Sequence, residues 1–343
     1  MRVERPSGPV VLDLSGPMLE AGDRELLLHP AVGGVILFKR NYVSPGQLAA
    51  LASEIHALRA PGLLIAVDHE GGRVQRFVDG FTRLPPMRSL GALFERDPEL
   101  AGRLAHAIGL VLAAELRERG VDLSFAPVVD VDFGASSVIG DRAFHHTPHG
   151  VARLAAQLAA GMSAAGMGAV AKHFPGHGFV RGDSHLEVPV DERTFAEIDA
   201  ADLMPYRALI GQGLAGVMPA HVIYPEVDAA PAGFSALWLR EILRERLGFD
   251  GLVFSDDLSM EGARVAGDIV ARGRAALTAG CDMVLVCNDR PAAERLVEGL
   301  GGPPPEPRRV ARFNAGSAEG SGRAGYRGAR QLLAEAQDAG MLA

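Results

Sequence analysis

Between Gly168 and Val190 the chain reads GAVAKHFPGHGFVRGDSHLEVPV, which gathers Lys172, His173, His177, Asp183 and His185 into one short stretch. Pro175, Gly176, Gly178 and Gly182 interrupt it, so turns place its polar groups and the segment can move as a flap. A second stretch, GLVFSDDLSM (251 to 260), runs from an apolar strand into two adjacent carboxylates, Asp256 and Asp257. A carboxylate at a rigid strand end can attack or stabilise an electron-poor carbon, and a histidine paired with a carboxylate can protonate a leaving oxygen near neutral pH. Asp183 and His185 form such a pair, since residues two apart lie on one side of an extended segment. The plainer reading of the same pair is a hydrogen bond that stabilises a turn.

Three other chemistries compete for these residues. His69-Glu70 begins like the zinc motif HExxH, but position 73 is Arg and Gly71-Gly72 breaks the helix that would align the ligands. His173 and His177 are four apart across Pro175-Gly176, which is poor spacing for a metal, and no cofactor is expected. Lys172 at a strand end could form a Schiff base, although hydrogen bonding to substrate hydroxyls is the preferred role. A phosphate site is disfavoured because DDLSMEGA is acidic where phosphate would need positive charge. Acid/base and nucleophilic chemistry on a sugar remains.

Such groups need a scaffold, and the chain supplies a repeating one. Apolar strand candidates run from Val10 to Leu14, Gly34 to Phe38, Leu63 to Val67, Leu123 to Ala126, Ala169 to Ala171, Gly216 to Met218, Leu252 to Phe254 and Met283 to Val286. They are continuous runs, not alternations, as in strands buried on both faces of a parallel sheet. Helical patterns fall near 20 to 29, 47 to 59, 98 to 119, 149 to 165, 195 to 211, 235 to 247, 267 to 279 and 291 to 300. Eight strands, each followed by a helix, predict an α/β fold, a single (β/α)8 TIM barrel over residues 1–302, with an open doubly wound sheet as the runner-up. Residues 303–343 form a Pro/Gly-rich linker and a terminal helix from about 323 to 339, either packed on the barrel or partly disordered.

A barrel presents its chemistry on the face beyond the strand ends. The polar residues there are Asp13, Lys39 and Arg40, Asp68 with Arg73 and Arg76, Asp130 with Arg142, Lys172 and His173, His221, Asp256 and Asp257, and Asn288. That set suits a small, hydroxyl-rich ligand. A net charge of −8 without a basic stripe argues against nucleic acid as the main ligand. No stretch approaches the ~18 apolar residues of a membrane span. The N-terminus has no signal-peptide pattern, and two cysteines, Cys281 and Cys287, read as buried thiols. A cytoplasmic protein is expected, with a monomer favoured.

KHFPGHGFVRGDSH (172 to 185), VDHEGGRVQRF (67 to 77), MPAHVIY (218 to 224) and GFDGLVFSDDLSMEGA (248 to 263) together resemble the bacterial β-N-acetylglucosaminidases of glycoside hydrolase family 3 that act in peptidoglycan recycling. The similarity runs from about residue 8 to 300. It implies a single barrel, with Asp256 as the nucleophile of a retaining mechanism and His185 as acid/base oriented by Asp183. It also implies that Asp68, Arg76, Arg142, Lys172 and His173 hold the N-acetylglucosamine ring, and that Asp257 is structural. The implied substrate is N-acetylglucosamine β-1,4-linked to 1,6-anhydro-N-acetylmuramic acid, with or without peptide. A phosphorylase, or a non-catalytic sugar-binding protein on the same barrel, are the rival readings. His69 stands where related sequences usually carry Gln.

Overall fold

The computed structural model describes residues 3–4, 7–182, 188–314 and 323–342. Eight parallel strands form its centre: β1 (Val10–Asp13), β2 (Val32–Leu37), β3 (Leu64–Val67), β4 (Leu123–Ser124), β5 (Val170–Phe174), β6 (Gly216–Pro219), β7 (Leu252–Asp257) and β8 (Met283–Val286). Their order around the sheet is β4-β3-β2-β1-β8-β7-β6-β5, sequential apart from the ring closure. β4 and β5 close the ring through an irregular seam. Val170 donates to the Ala126 carbonyl at 2.8 Å, Lys172 to Pro127 at 3.2 Å, and Val129 to Lys172 at 2.8 Å. Pro127 has no N–H to give, so the pairing passes around it and β4 is short.

The continuous apolar runs are explained by burial on both faces. Val10 and Leu12 point outward under the helices, and Val11 points into the barrel with Ile36, Leu64, Ala66, Leu123, Phe125, Val170, Met218, Phe254 and Leu285. Each interior residue therefore has apolar neighbours across the lumen, and the barrel is a packed core below its mouth.

The helices start where the sequence supplies caps. Ser44, Asp97 and Thr147 accept from the N–H groups of Gln47, Leu100 and Gly150, each followed by a proline with its preset φ. The two longest covering helices beyond β3 and β4, Pro98–Glu118 and Pro148–Ala164, pack closely. A Cβ on Gly109 would sit 2.0 Å from the Leu158 carbonyl oxygen, so that crossing requires glycine. The helix before β7, Leu237–Arg246, is wound as a π-helix.

Beyond the prolines the chain does not stop being regular. Helix Pro307–Asn314 runs beneath the barrel and sends fully buried Phe313 into its floor, edge-on to Phe254 at 5.7 Å between ring centroids. Arg308 and Arg309 pair with Asp250, and Arg309 also with Asp282. A terminal helix, Arg323–Asp338, lies against Pro98–Glu118, where the Tyr326 hydroxyl donates to Glu115 at 2.7 Å.

Candidate active site

Strand parity sets out the mouth of the barrel. Ile36, Ala66, Val170, Phe254 and Leu285 face the lumen, and the residues two further on are Phe38, Asp68, Lys172, Asp256 and Cys287. All five line a cavity of about 580 Å³ at the carboxyl ends of the strands, together with Glu70, Arg73, Arg76, Arg142, His173, His177 and Asn288. This volume suits a small molecule.

One side of the cavity is a connected set of charges. Lys172 Nζ lies 2.8 Å from Asp68 Oδ1 and 2.6 Å from Glu70 Oε1. Arg142 grips Glu70 with two parallel bonds, Nε to Oε2 and Nη2 to Oε1, both 2.8 Å. Arg76 reaches the second oxygen of Asp68 at 3.3 Å. Burial alone would raise the Asp68 and Glu70 carboxyls, but Lys172 with Arg76, and Arg142 with Lys172, hold both below the usual carboxylate range. Burial would likewise favour neutral Lys172, and Asp68 and Glu70 outweigh it, so its pKa is raised and the ammonium persists. A protonated amine is a poor nucleophile, which disfavours the Schiff-base reading.

The opposite side is built on Asp130. Its carboxylate accepts from His173 Nδ1 at 2.8 Å, from the His173 N–H at 3.2 Å and from the His177 N–H at 2.7 Å. A carboxylate can only accept, so His173 carries its proton on Nδ1 and turns Nε2 to the cavity. Against the upward push of burial, the two histidines keep Asp130 ionised at lower pH than usual. The turn that carries His177 fits because Gly178 has no side chain. A Cβ there would stand 1.8 Å from the Val131 carbonyl oxygen.

Asp256 lines the cavity at the end of β7, and its Oδ1 accepts the N–H of Asp257 at 2.8 Å. Asp257 serves the backbone. Its Oδ1 accepts from the N–H groups of Ser259 and Cys287 at 2.9 and 3.0 Å, and its Oδ2 from the Ser259 hydroxyl at 2.7 Å. Burial raises its pKa to about 6.

The structure thus brings together Asp68, Arg76, Arg142, Lys172, His173 and Asp256 around one cavity. Asp183 and His185 lie outside the described residues. Several strand-end residues read from the sequence as lining the face do not reach the main cavity. His221 is fully buried, stacked on Phe234, with Nε2 3.2 Å from the Asp257 carbonyl, so it braces β7 from behind. Arg40 pairs with Asp13 and donates to Asn288 at 2.8 Å beside a neighbouring cleft, and Lys39 is exposed. His69 packs against Phe77 and Phe81, away from the cavity, and burial lowers its pKa to about 3. Glu70 is the residue that sequence reasoning passed over. Its signal was its place two beyond Asp68 in VDHEGGRVQRF.

Elsewhere, Glu95, His145 and His146 bring three potential metal-ligand atoms within 4.8 Å of one another. The donor chemistry disfavours an ion there. His145 Nδ1 accepts the Thr147 N–H at 3.0 Å, which leaves the ring proton on Nε2, 2.7 Å from Glu95.

A closed (β/α)8 barrel with carboxylates, cations and imidazole converging on a cavity at its carboxyl-end mouth defines an enzyme of the barrel class. The family follows from comparison. Residues 11–302 match the glycosyl hydrolase family 3 N-terminal domain, and the chain belongs to that family. It is 61% identical over 293 residues to a protein of Nitrosospira multiformis named Beta-hexosaminidase, covering 85% of this chain and 84% of that one. Among solved structures it resembles native NagZ from Neisseria gonorrhoeae, with a TM-score of 0.91, 46% identity and 99% of each chain covered. It also resembles the same protein in complex with N-trifluoroacetyl-D-glucosamine, with a TM-score of 0.90, 46% identity, and 99% of this chain and 100% of that one covered.

Proposed function

We propose that this chain is a retaining, exo-acting β-N-acetylglucosaminidase that releases terminal N-acetylglucosamine from muropeptides in cytoplasmic cell-wall recycling. The supporting observation is the cavity itself. Asp256 faces a ring of Asp68, Arg76, Arg142, Lys172 and His173, and a protein 46% identical has been solved with an N-acylglucosamine analogue. In this reading Asp68 accepts from sugar hydroxyls, and Lys172, Arg76 and Arg142 supply donors.

The reaction has two displacements. His185 gives a proton to the glycosidic oxygen as an Asp256 oxygen bonds to the anomeric carbon, and the carbon–oxygen bond to the aglycone breaks. Water then enters on the same face; His185 takes its proton, the water oxygen displaces the Asp256 carboxylate, and the β-anomer leaves. Asp183 stabilises the His185 cation that is present before the first displacement and is formed again in the second. Cleavage of N-acetylglucosaminyl-β-1,4-anhydro-N-acetylmuramic acid, followed by proton NMR before mutarotation, tests this. First appearance of the β-anomer is expected. First appearance of the α-anomer would reject retention, and no cleavage would reject the substrate.

A further inference from the structure

Among the acids that line the cavity Glu70 is the most enclosed, 5% exposed, and both of its oxygens are committed to cations. We propose that Glu70 is a positioning residue that sets which hydrogens of Arg142 and Lys172 point at the sugar; this rests on the reading that those two cations hold the substrate.

The geometry is restrictive. Arg142 has five N–H groups in a fixed plane. Glu70 takes the Nε–H and one from Nη2, and the Val138 carbonyl takes one from Nη1 at 3.3 Å. One hydrogen on each Nη remains. Lys172 has three, of which Asp68 and Glu70 take two, so one remains. Without Glu70 the guanidinium could rotate about its stem, and Lys172 would face Asp68 alone. The carboxylate thereby fixes donor direction and supplies negative charge between two cations that would otherwise repel across a low-dielectric wall.

A structural role alone would lower stability without depending on Arg142. A positioning role that acts partly through Arg142 must shrink when Arg142 is lost. The test is a double-mutant cycle with Glu70→Gln, Arg142→Ala and the double variant, assayed on an aryl N-acetyl-β-glucosaminide. Melting temperatures are recorded for each, and Glu70→Asp is the variant to use should Glu70→Gln not fold. We expect Glu70→Gln to raise KM at least about tenfold with a smaller change in kcat, and Arg142→Ala to do the same. The double variant should lose clearly less than the product of the two single losses, and what it loses beyond Arg142→Ala is the part that Glu70 exerts through Lys172.

Multiplied losses in the double variant would overturn the role of Glu70 while leaving the site intact. An unchanged KM in Arg142→Ala would instead overturn the reading of the site on which the role rests. In the Glu70→Asp cycle the same comparison applies, because shortening the side chain by one carbon cannot keep the paired bonds to Arg142 and the bond to Lys172 together.

Discussion

His173 donates a hydrogen bond from its Nδ1–H to Asp130 across 2.8 Å, and Asp130, fully enclosed, accepts that bond and two from backbone N–H groups. One carboxylate thereby fixes the ring of His173 and the backbone of His177 together. The lone pair on His173 Nε2 is then presented to the cavity as an acceptor.

Asp130→Asn keeps the shape and removes that preference. The amide nitrogen would face Nδ1, the ring proton would move to Nε2, and the acceptor would become a donor. A charge-assisted hydrogen bond contributes about 1.5–3 kcal/mol, so KM for an aryl N-acetyl-β-glucosaminide should rise roughly 10- to 100-fold. Steady-state kinetics checks it, and an unchanged KM would show that His173 does not bind the sugar through Nε2.

If His185 is the acid/base, its removal must matter in proportion to how badly the leaving group needs a proton. His185→Ala should reduce turnover of a disaccharide by about 10²–10⁴-fold and that of a dinitrophenyl glycoside much less. Equal losses for the two substrates would refute the assignment.

Asp257 offers a test through pH. Its carboxyl titrates at about 6 in the folded chain, pushed up by burial from an ordinary 3.8. The unfolded chain releases this proton first, so between those values the folded state binds more protons. This contribution to stability is greatest below 3.8, falls as pH rises through the window and is constant above about 6. Asp257→Asn can keep the bonds to Ser259 and Cys287, should flatten the loss between pH 4 and 7 in urea unfolding, and should leave kcat within a few-fold. A collapse of kcat in this variant would mean that Asp257 takes part in the chemistry.

Phe313→Ala would open a void in the barrel floor, far along the strands from the cavity. Core aromatic truncations cost about 3–5 kcal/mol, so thermal unfolding should shift sharply down while KM stays constant. An unaltered melting temperature would show that the helix Pro307–Asn314 is dispensable to the barrel.

That helix also marks where the sequence was hardest to read. The eight strands were legible because both faces are buried, so each is an uninterrupted apolar run. Pro303, Pro304, Pro305 and Pro307 hid the floor helix, since proline reads as a stop although Pro307 sits at a helix start, where its missing N–H is harmless. For the cavity, position beyond a strand end singled out Asp68, Lys172 and Asp256, all three of which line it. The same rule placed His221 and Arg40 on the face, where local packing and pairing draw them aside. Glu70 was obscured because its partners are 72 and 102 residues away in the chain, a distance over which pattern carries no information.

The most direct test of Asp256 as nucleophile is covalent trapping. Incubation with a fluorinated N-acetylglucosaminyl donor, digestion and mass spectrometry should find the sugar on the peptide containing Ser255-Asp256-Asp257, with fragmentation placing it on Asp256, and Asp256→Ala should take up no label. Label on any other residue, or undiminished label in the Asp256→Ala enzyme, would contradict the account.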